Sequence, residues 1–151
     1  MATETTLVLV KPDGVQRGLS GEIIRRLEQT GLKLVGLKLM QVSRELAGKH
    51  YGEHEGKPFY NGLVDYITAS PVVALALEGP NAIAITRKMM GVTKPSEAAP
   101  GTIRGDFGVD IGRNLIHGSA NESDAEREVS LFFSADELLR WDRTNEGWIT
   151  E

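Results

Sequence analysis

The chain contains no cysteine, which excludes disulfides and thiolate-held metals. Aromatic residues are only 6% of it. The opening MATETTLVLVKPDG has no basic region, and its apolar run, Leu7 to Val10, stops at Lys11. That is neither a signal peptide nor a membrane span, so the expectation is a soluble, cytoplasmic protein with no membrane partner. Charge of one sign is also scarce, at −4 net, so a nucleic-acid partner is not expected. Any anionic ligand must instead find its cations gathered locally. Internal repeats, low-complexity tracts and linkers are absent. So are the two familiar phosphate loops, G-x-x-x-x-G-K-[ST] and G-x-G-x-x-G after a strand. Phosphate chemistry here would have to rest on side-chain cations. What remains is 151 residues, 40% apolar and 25% charged, read as a single domain over 1–151. A chain of that length buries about two-thirds of its unfolded surface.

Periodicity supplies the elements. TETTLVLV reads as a buried strand, ended by a turn at Lys11-Pro12-Asp13-Gly14. SGEIIRRLEQTG predicts a helix capped by Ser20 and closed by Gly31. LKLVGLKLMQV is a long strand of imperfect period, followed by a helix from the cap Ser43. KPFYNGLVDYITAS has Phe59, Leu63 and Tyr66 at helical spacing before Ser70-Pro71 breaks it. PVVALALEG is a strand. Asn81 would cap a helix through AIAITRKMM, with a strand at Ile-Ala-Ile as rival. VTKPSEAAPGTIRGDFG reads as a loop and RNLIHGS as a last short strand. Ser123 to Glu126 and Ser134 to Glu137 each form a capping-box pattern. The order β-α-β-α-α-β-α-β-α suits an α+β, ferredoxin-like split βαβ: a four-stranded antiparallel sheet covered by helices.

His117, one of three histidines, follows the apolar pair Leu115-Ile116 and precedes Gly118-Ser119. With an ordinary pKa near ~6.5, imidazole is largely neutral and nucleophilic at cellular pH. Gly118 permits a close approach to the backbone. Glu128 lies at the edge of the apolar stripe Ala125, Val129, Phe132. It would either orient the imidazole by accepting from one ring nitrogen or face solvent, and spacing leaves both open. Candidate cations for phosphate are Lys11, Arg87 and Arg104, though spacing leaves their convergence open. His50-Tyr51-Gly52-Glu53-His54 matches the inverted zinc motif H-x-x-E-H, which would make the chain a zinc hydrolase. Gly52 weakens the helix such a site needs, and a third ligand is lacking. Phe59 and Leu63 are core by pattern, with a base-stacking clamp as the sharper alternative.

Taken together, LVKPDGVQRGL at 9–19, PFYNGLVDYITASPVVALALEG at 58–79, GTIRGDF at 101–107, NLIHGS at 114–119 and AEREVSLFF at 125–133 closely resemble the nucleoside diphosphate kinase family. The likeness spans nearly the whole chain. It implies transfer of the γ-phosphate of a nucleoside triphosphate to a nucleoside diphosphate, in ping-pong fashion, through a phosphohistidine at His117. Glu128 and Ser119 would orient and polarise that ring. Lys11, Arg87, Thr93 and Arg104 would hold phosphates, Asn114 and Lys11 would meet the sugar, and Tyr51 would support the nucleophile's surroundings. Phe59 would stack on the base, with Leu63 shaping that pocket. Mg2+ would ride on the nucleotide phosphates with no direct protein ligand. The sequence departs from many relatives at Ala120, where they place an aspartate, which puts a water-mediated magnesium contact there in doubt. The loop from Lys94 to Gly105 and the tail TNEGWITE resemble the homohexameric kind, with a tetramer as rival. A ferredoxin-like module that binds nucleotide without catalysis is the remaining alternative.

Overall fold

The computed structural model describes residues 3–151. Strands β1 (Thr3–Val10), β2 (Lys33–Met40), β3 (Val72–Pro80) and β4 (Ile116–Gly118) form one sheet in the order β2-β3-β1-β4. β3 lies antiparallel between β1 and β2, and β4 runs antiparallel along the other side of β1. This is the split βαβ of the ferredoxin-like fold, in the α+β class expected. Seven α-helices among the described residues accompany it: α1 (Pro12–Gln16), α2 (Ser20–Gln29), α3 (Arg44–His50), α4 (Tyr60–Thr68), α5 (Ala82–Met90), α6 (Ile103–Phe107) and α7 (Glu122–Phe132).

β1 reads as an unbroken apolar run because both its faces are covered. Leu7 and Leu9 pack into one cluster with Ala47 of α3, Val64 and Ile67 of α4, and Val129 and Phe132 of α7. Val8 and Val10 pack into the other with Ile23 and Leu27 of α2 and Ala82 and Met90 of α5. Each buried valine, leucine, isoleucine, phenylalanine or methionine among them contributes about 1.5–3 kcal/mol by leaving water, and the alanines less. The imperfect period of β2 has a cause. Its register against β3 shifts between Leu34 and Gly36, a bulge that turns Leu37 and Leu39 outward. Pairing of Leu9 with His117 puts that histidine on the sheet face covered by α3 and α7.

Several local expectations are corrected. The turn at Lys11-Pro12-Asp13-Gly14 is the start of α1, with proline at its first position, where a missing N–H costs nothing. Ser20 lies inside α2, and Leu19 occupies the cap without a side-chain bond. Asn81 sits at the cap of α5 but in the left-handed region, φ 55°. The free amide there is met by Glu4, whose Oε1 accepts from Ile83 N at 3.1 Å. The Ile-Ala-Ile stretch is therefore helix, not strand. The loop after Gly91 contains α6, capped by the Thr102 hydroxyl accepting from Gly105 N at 3.0 Å. On α4 the buried positions are Val64 and Ile67, one step round from the stripe expected. Ser43 caps α3 and Gly31 closes α2 with φ 100°, both as read. The Ser134–Glu137 capping box is present.

At α7 the cap is Asn121, whose Oδ1 accepts from Asp124 N at 2.8 Å, and not Ser123. Asn121→Ala is expected to lower stability by about 1 kcal/mol in urea denaturation. Ser123→Ala, inside the helix and exposed, is expected to change it by less than about 0.5 kcal/mol.

Candidate active site

β4 and α7 bring the imidazole and the carboxylate together. His117 Nε2 lies 2.8 Å from Glu128 Oε1, and the Ser119 hydroxyl donates to the same oxygen at 2.7 Å. Ser119 is fully buried, and its Oγ also accepts from Leu7 N at 3.3 Å, which fixes it to the sheet. Glu128 is 4% exposed, so the solvent-facing reading is excluded. Burial alone would raise its pKa. The hydrogen bond and charge of His117, then the Ser119 hydroxyl, outweigh that and hold the carboxyl below its ordinary range. An ionised carboxylate only accepts, so Nε2 of His117 carries the proton and Nδ1 keeps a free lone pair.

The cations converge. Lys11, Arg87 and Arg104 line one cavity of about 220 Å³ with Thr93, Asn114, His117 and Glu128. None of the three makes a salt bridge among the described residues. Their hydrogen bonds go to neutral oxygens instead. Lys11 Nζ donates to Asn114 Oδ1 at 2.8 Å, and Arg87 donates to Gly118 O at 3.0 Å. Arg104 is buried in α6, not on a loop as expected. It donates to the carbonyls of Gly91, Asn114 and Ile116 at 3.0, 3.1 and 2.6 Å. Burial, then the neighbouring Arg87, bring the Arg104 guanidinium down to about 10. Burial, then Arg104, bring Lys11 down to about 8, against the pull of Asp13. A desolvated Arg104 beside Lys11 and the more exposed Arg87, none of them in a salt bridge, makes a preformed anion site.

The backbone is bent to make this fit. Leu115 has φ 75°, the left-handed region. Ile116 N closes back on Asn114 O at 2.9 Å in a tight three-residue turn. That turn lets the carbonyls on either side of Leu115 meet one guanidinium. Asp13 steadies it: Oδ2 accepts from Leu115 N at 3.1 Å, and the other oxygen accepts from the Tyr66 hydroxyl. Gly118 permits the close approach expected of it, since Met90 and Thr86 of α5 fill the space a Cβ would take.

Other expected residues fall nearby or apart. Asn114 is buried, its Nδ2 donating to Thr93 O at 3.3 Å. Tyr51 ends α3 edge-on to His50, and burial, then Glu128, raise its phenol to about 12. Phe59 is 51% exposed at the start of α4, so the core reading favoured by spacing fails. Leu63, one turn on, is half-buried. The zinc motif is not assembled. Its Glu53 and His54 pair with each other at 3.7 Å on the turn Gly52–His54, while His50 is buried and turned toward His117. His50, His117 and Glu128 do bring ligand atoms within 4.8 Å of one another. However, His117 and Glu128 are already in direct hydrogen-bond contact, with no room for an ion between them. Sequence reasoning missed the structural part of Asp13, the neighbour His50, and the carboxylate of Asp124, which lines the cavity beside Ala120.

An imidazole held by a buried carboxylate, lining one cavity with three cations that make no salt bridge, suits a class: enzymes that move phosphoryl groups. Residues 4–138 match the family model described as nucleoside diphosphate kinase. The chain is 59% identical over 148 residues to the nucleoside diphosphate kinase of Heliobacterium modesticaldum, covering 98% of this chain and 99% of that one. A halophilic nucleoside diphosphate kinase from Halobacterium salinarum, solved in complex with CDP, superposes with a TM-score of 0.96 at 55% identity. That match covers 99% of this chain and 100% of the other. The enzyme of Borrelia burgdorferi, solved as a transition-state mimic with vanadate and ADP, gives 0.92 at 39% identity, covering 98% of each chain. The chain belongs to the nucleoside diphosphate kinase family and is a phosphotransferase.

Lys11 gives a testable sign. Its pKa is lowered to about 8, so its charge is present below that pH and lost above it. The Kd for ADP in calorimetry is expected to rise above pH 8, approaching about tenfold per pH unit. Lys11→Arg is expected to remove most of that rise.

Proposed function

We propose that the chain transfers the γ-phosphate of a nucleoside triphosphate to a nucleoside diphosphate through phosphohistidine at His117. The observation that carries this is a His117 ring engaged through Nε2 with Glu128, which leaves Nδ1 without a partner, in one cavity with Lys11, Arg87 and Arg104. In the first half-reaction Nδ1 attacks the γ-phosphorus. The N–P bond forms, the bond to the β–γ bridging oxygen breaks, and the nucleoside diphosphate leaves with that electron pair. The ring gains positive charge, which Glu128 offsets at 2.8 Å with the Ser119 hydroxyl bracing its oxygen. In the second half a terminal oxygen of another nucleoside diphosphate attacks phosphorus and the imidazole leaves. Arg87, Arg104, Lys11 and Thr93 hold the phosphates, where preorganised positive charge lowers the barrier. Asn114 and Lys11 meet the sugar, and Tyr51 supports the nucleophile from the end of α3. The exposed ring of Phe59 stacks on the base, with Leu63 one turn on shaping the pocket, and a π-face accepts any nucleobase.

Mg2+ belongs to this reading as a partner of the nucleotide. It demands oxygen ligands, and the inner cavity offers cations and an engaged Glu128, so the ion fits on the phosphates. Ala120 brings no ligand atom, but Asp124 and Glu53 line the same cavity and can meet the ion's water shell. The ion, when bound, neutralises charge on the phosphate oxygens. The proposal takes 1–151 as one domain working in the cytoplasm on soluble nucleotides. No helix among the described residues is long and apolar enough to cross a membrane. Self-association, as a homohexamer with a tetramer as rival, is supported by exposed Val92, Val109 and Ile111 around the 94–105 loop. The tail adds Trp148, 93% exposed. Nucleic acid is not part of the reading.

Incubation with γ-labelled ATP is expected to leave an acid-labile, base-stable label on the protein, and His117→Gln is expected to take up none. A protein that binds ADP without taking up label would be the non-catalytic module instead. Arg87→Ala removes a cation that supports no core contact. It is expected to lower kcat/KM by about 10²–10³, or about 2.7–4 kcal/mol, if the guanidinium meets the moving phosphoryl group. A change confined to KM would assign it to ground-state binding.

A further inference from the structure

His50 has no part in the mechanism above, and the zinc reading that first singled it out is gone. Its position is nonetheless unusual. The side chain is 2% exposed at the end of α3, with its ring edge-on to His117 at 4.8 Å and 86° and to Phe132 at 5.3 Å and 89°. Its Nδ1 is buried with no hydrogen-bond partner and stands 4.0 Å from Glu128 Oε2. A buried polar nitrogen left unpaired is destabilising, which a plain hydrocarbon ring in the same place would not be.

Glu128 shows what the nitrogen is for. Its Oε1 is committed to His117 and Ser119, whereas Oε2 is contested. On the inner side stands His50 Nδ1. On the outer side Arg127 NH2 reaches Oε2 at 3.7 Å from a side chain 40% exposed. A full charge would win that contest if nothing held the carboxylate back, and rotation toward Arg127 would draw Oε1 off the His117 ring. Resting on the phosphohistidine reading, we propose that His50 is a positioning residue for phosphoryl transfer. Its Nδ1–H faces Oε2 and keeps Glu128 turned inward, while its ring edge fixes the tilt of His117.

The imidazole must be uncharged for this. A protonated His50 would neutralise Glu128 and repel the positive charge that grows on His117. Burial, then the charges of His117, Arg127 and Lys11, bring His50 down to about 3 against the pull of Glu128, so it is neutral across the working range. The titratable and charged groups facing it are Glu128 and Arg127 from α7, His117 from β4, Lys11 after β1, and its neighbour Tyr51.

The test is the single-turnover rate of label transfer from γ-labelled ATP, with steady-state kcat and KM and a thermal melt for each variant. His50→Asn keeps a donor at the Nδ1 position, His50→Gln moves it outward, and His50→Phe keeps a ring without any donor. The expected order of rates is Asn, then Gln, then Phe. The Phe variant is expected to fall about 10- to 100-fold in kcat with KM for ADP within about twofold, as for a small misplacement of reacting groups. Adding Arg127→Ala to His50→Phe removes the competitor and is expected to recover most of the rate. Equal rates for Asn and Phe, or no recovery on removing Arg127, would overturn the proposal. Should the Phe variant fail to fold, the Asn and Gln variants decide alone: equal rates overturn it. A wild-type protein that takes up no label at His117 would instead sink the phosphohistidine reading itself.

Discussion

A guanidinium buried without a carboxylate is the constraint on which the site depends. Arg104 is held by three carbonyls: Gly91 where α5 ends, and Asn114 and Ile116 on either side of Leu115. Carbonyl dipoles orient a cation without cancelling it, so the charge remains available to an anion. The same three bonds tie together the end of α5, the helix α6 and the entry to β4. Arg87 and His117 are thereby fixed relative to one another as a by-product of satisfying one arginine. Had a glutamate filled that place, the fold would be at least as well held and the cavity would have no net attraction for phosphate.

The negative net charge of the chain is reconciled in the same way. Carboxylates on the surface pair with lysines and arginines far from the cavity, as in Glu22 with Arg25 and Arg26, and Lys38 with Glu137. Such exposed pairs contribute little to stability. None of these pairs takes up Lys11, Arg87 or Arg104, so the cations that line the cavity keep their charge for a ligand. Glu128 is the exception: it is buried, its carboxyl is held below the ordinary range, and it pairs with the His117 ring.

Much of the fold was legible because it rests on local pattern. The run Leu7 to Val10 could only be a strand buried on two faces, and PVVALALEG its neighbour. The resemblance to known kinases supplied the site residues, and the structure brings most of them to one cavity. Other features were hidden because they are tertiary. Phe59 shares its spacing with core residues, and only the way α4 packs on the core decides that Val64 and Ile67 face inward instead. Asn121 and Ser123 are both good caps in isolation, and the start of α7 at Glu122 puts Asn121 at the cap and Ser123 inside the helix. The cap of α5 comes from Glu4, far away in sequence. His50 offered a false motif, since its true neighbours, His117 and Phe132, are distant along the chain.

Leu115 shows how such a design restricts its own future. Its backbone sits where leucine is uncomfortable, at a cost of about 1–3 kcal/mol. Glycine would relax that strain but would empty a fully buried place between the sheet and α2, and a hydrophobe with a branched Cβ would sharpen it. Asparagine tolerates the angle but carries an amide into hydrocarbon. Methionine, unbranched at Cβ and of similar volume, keeps the packing but inherits the same strain, so attempts to make this protein hardier have little room to work there.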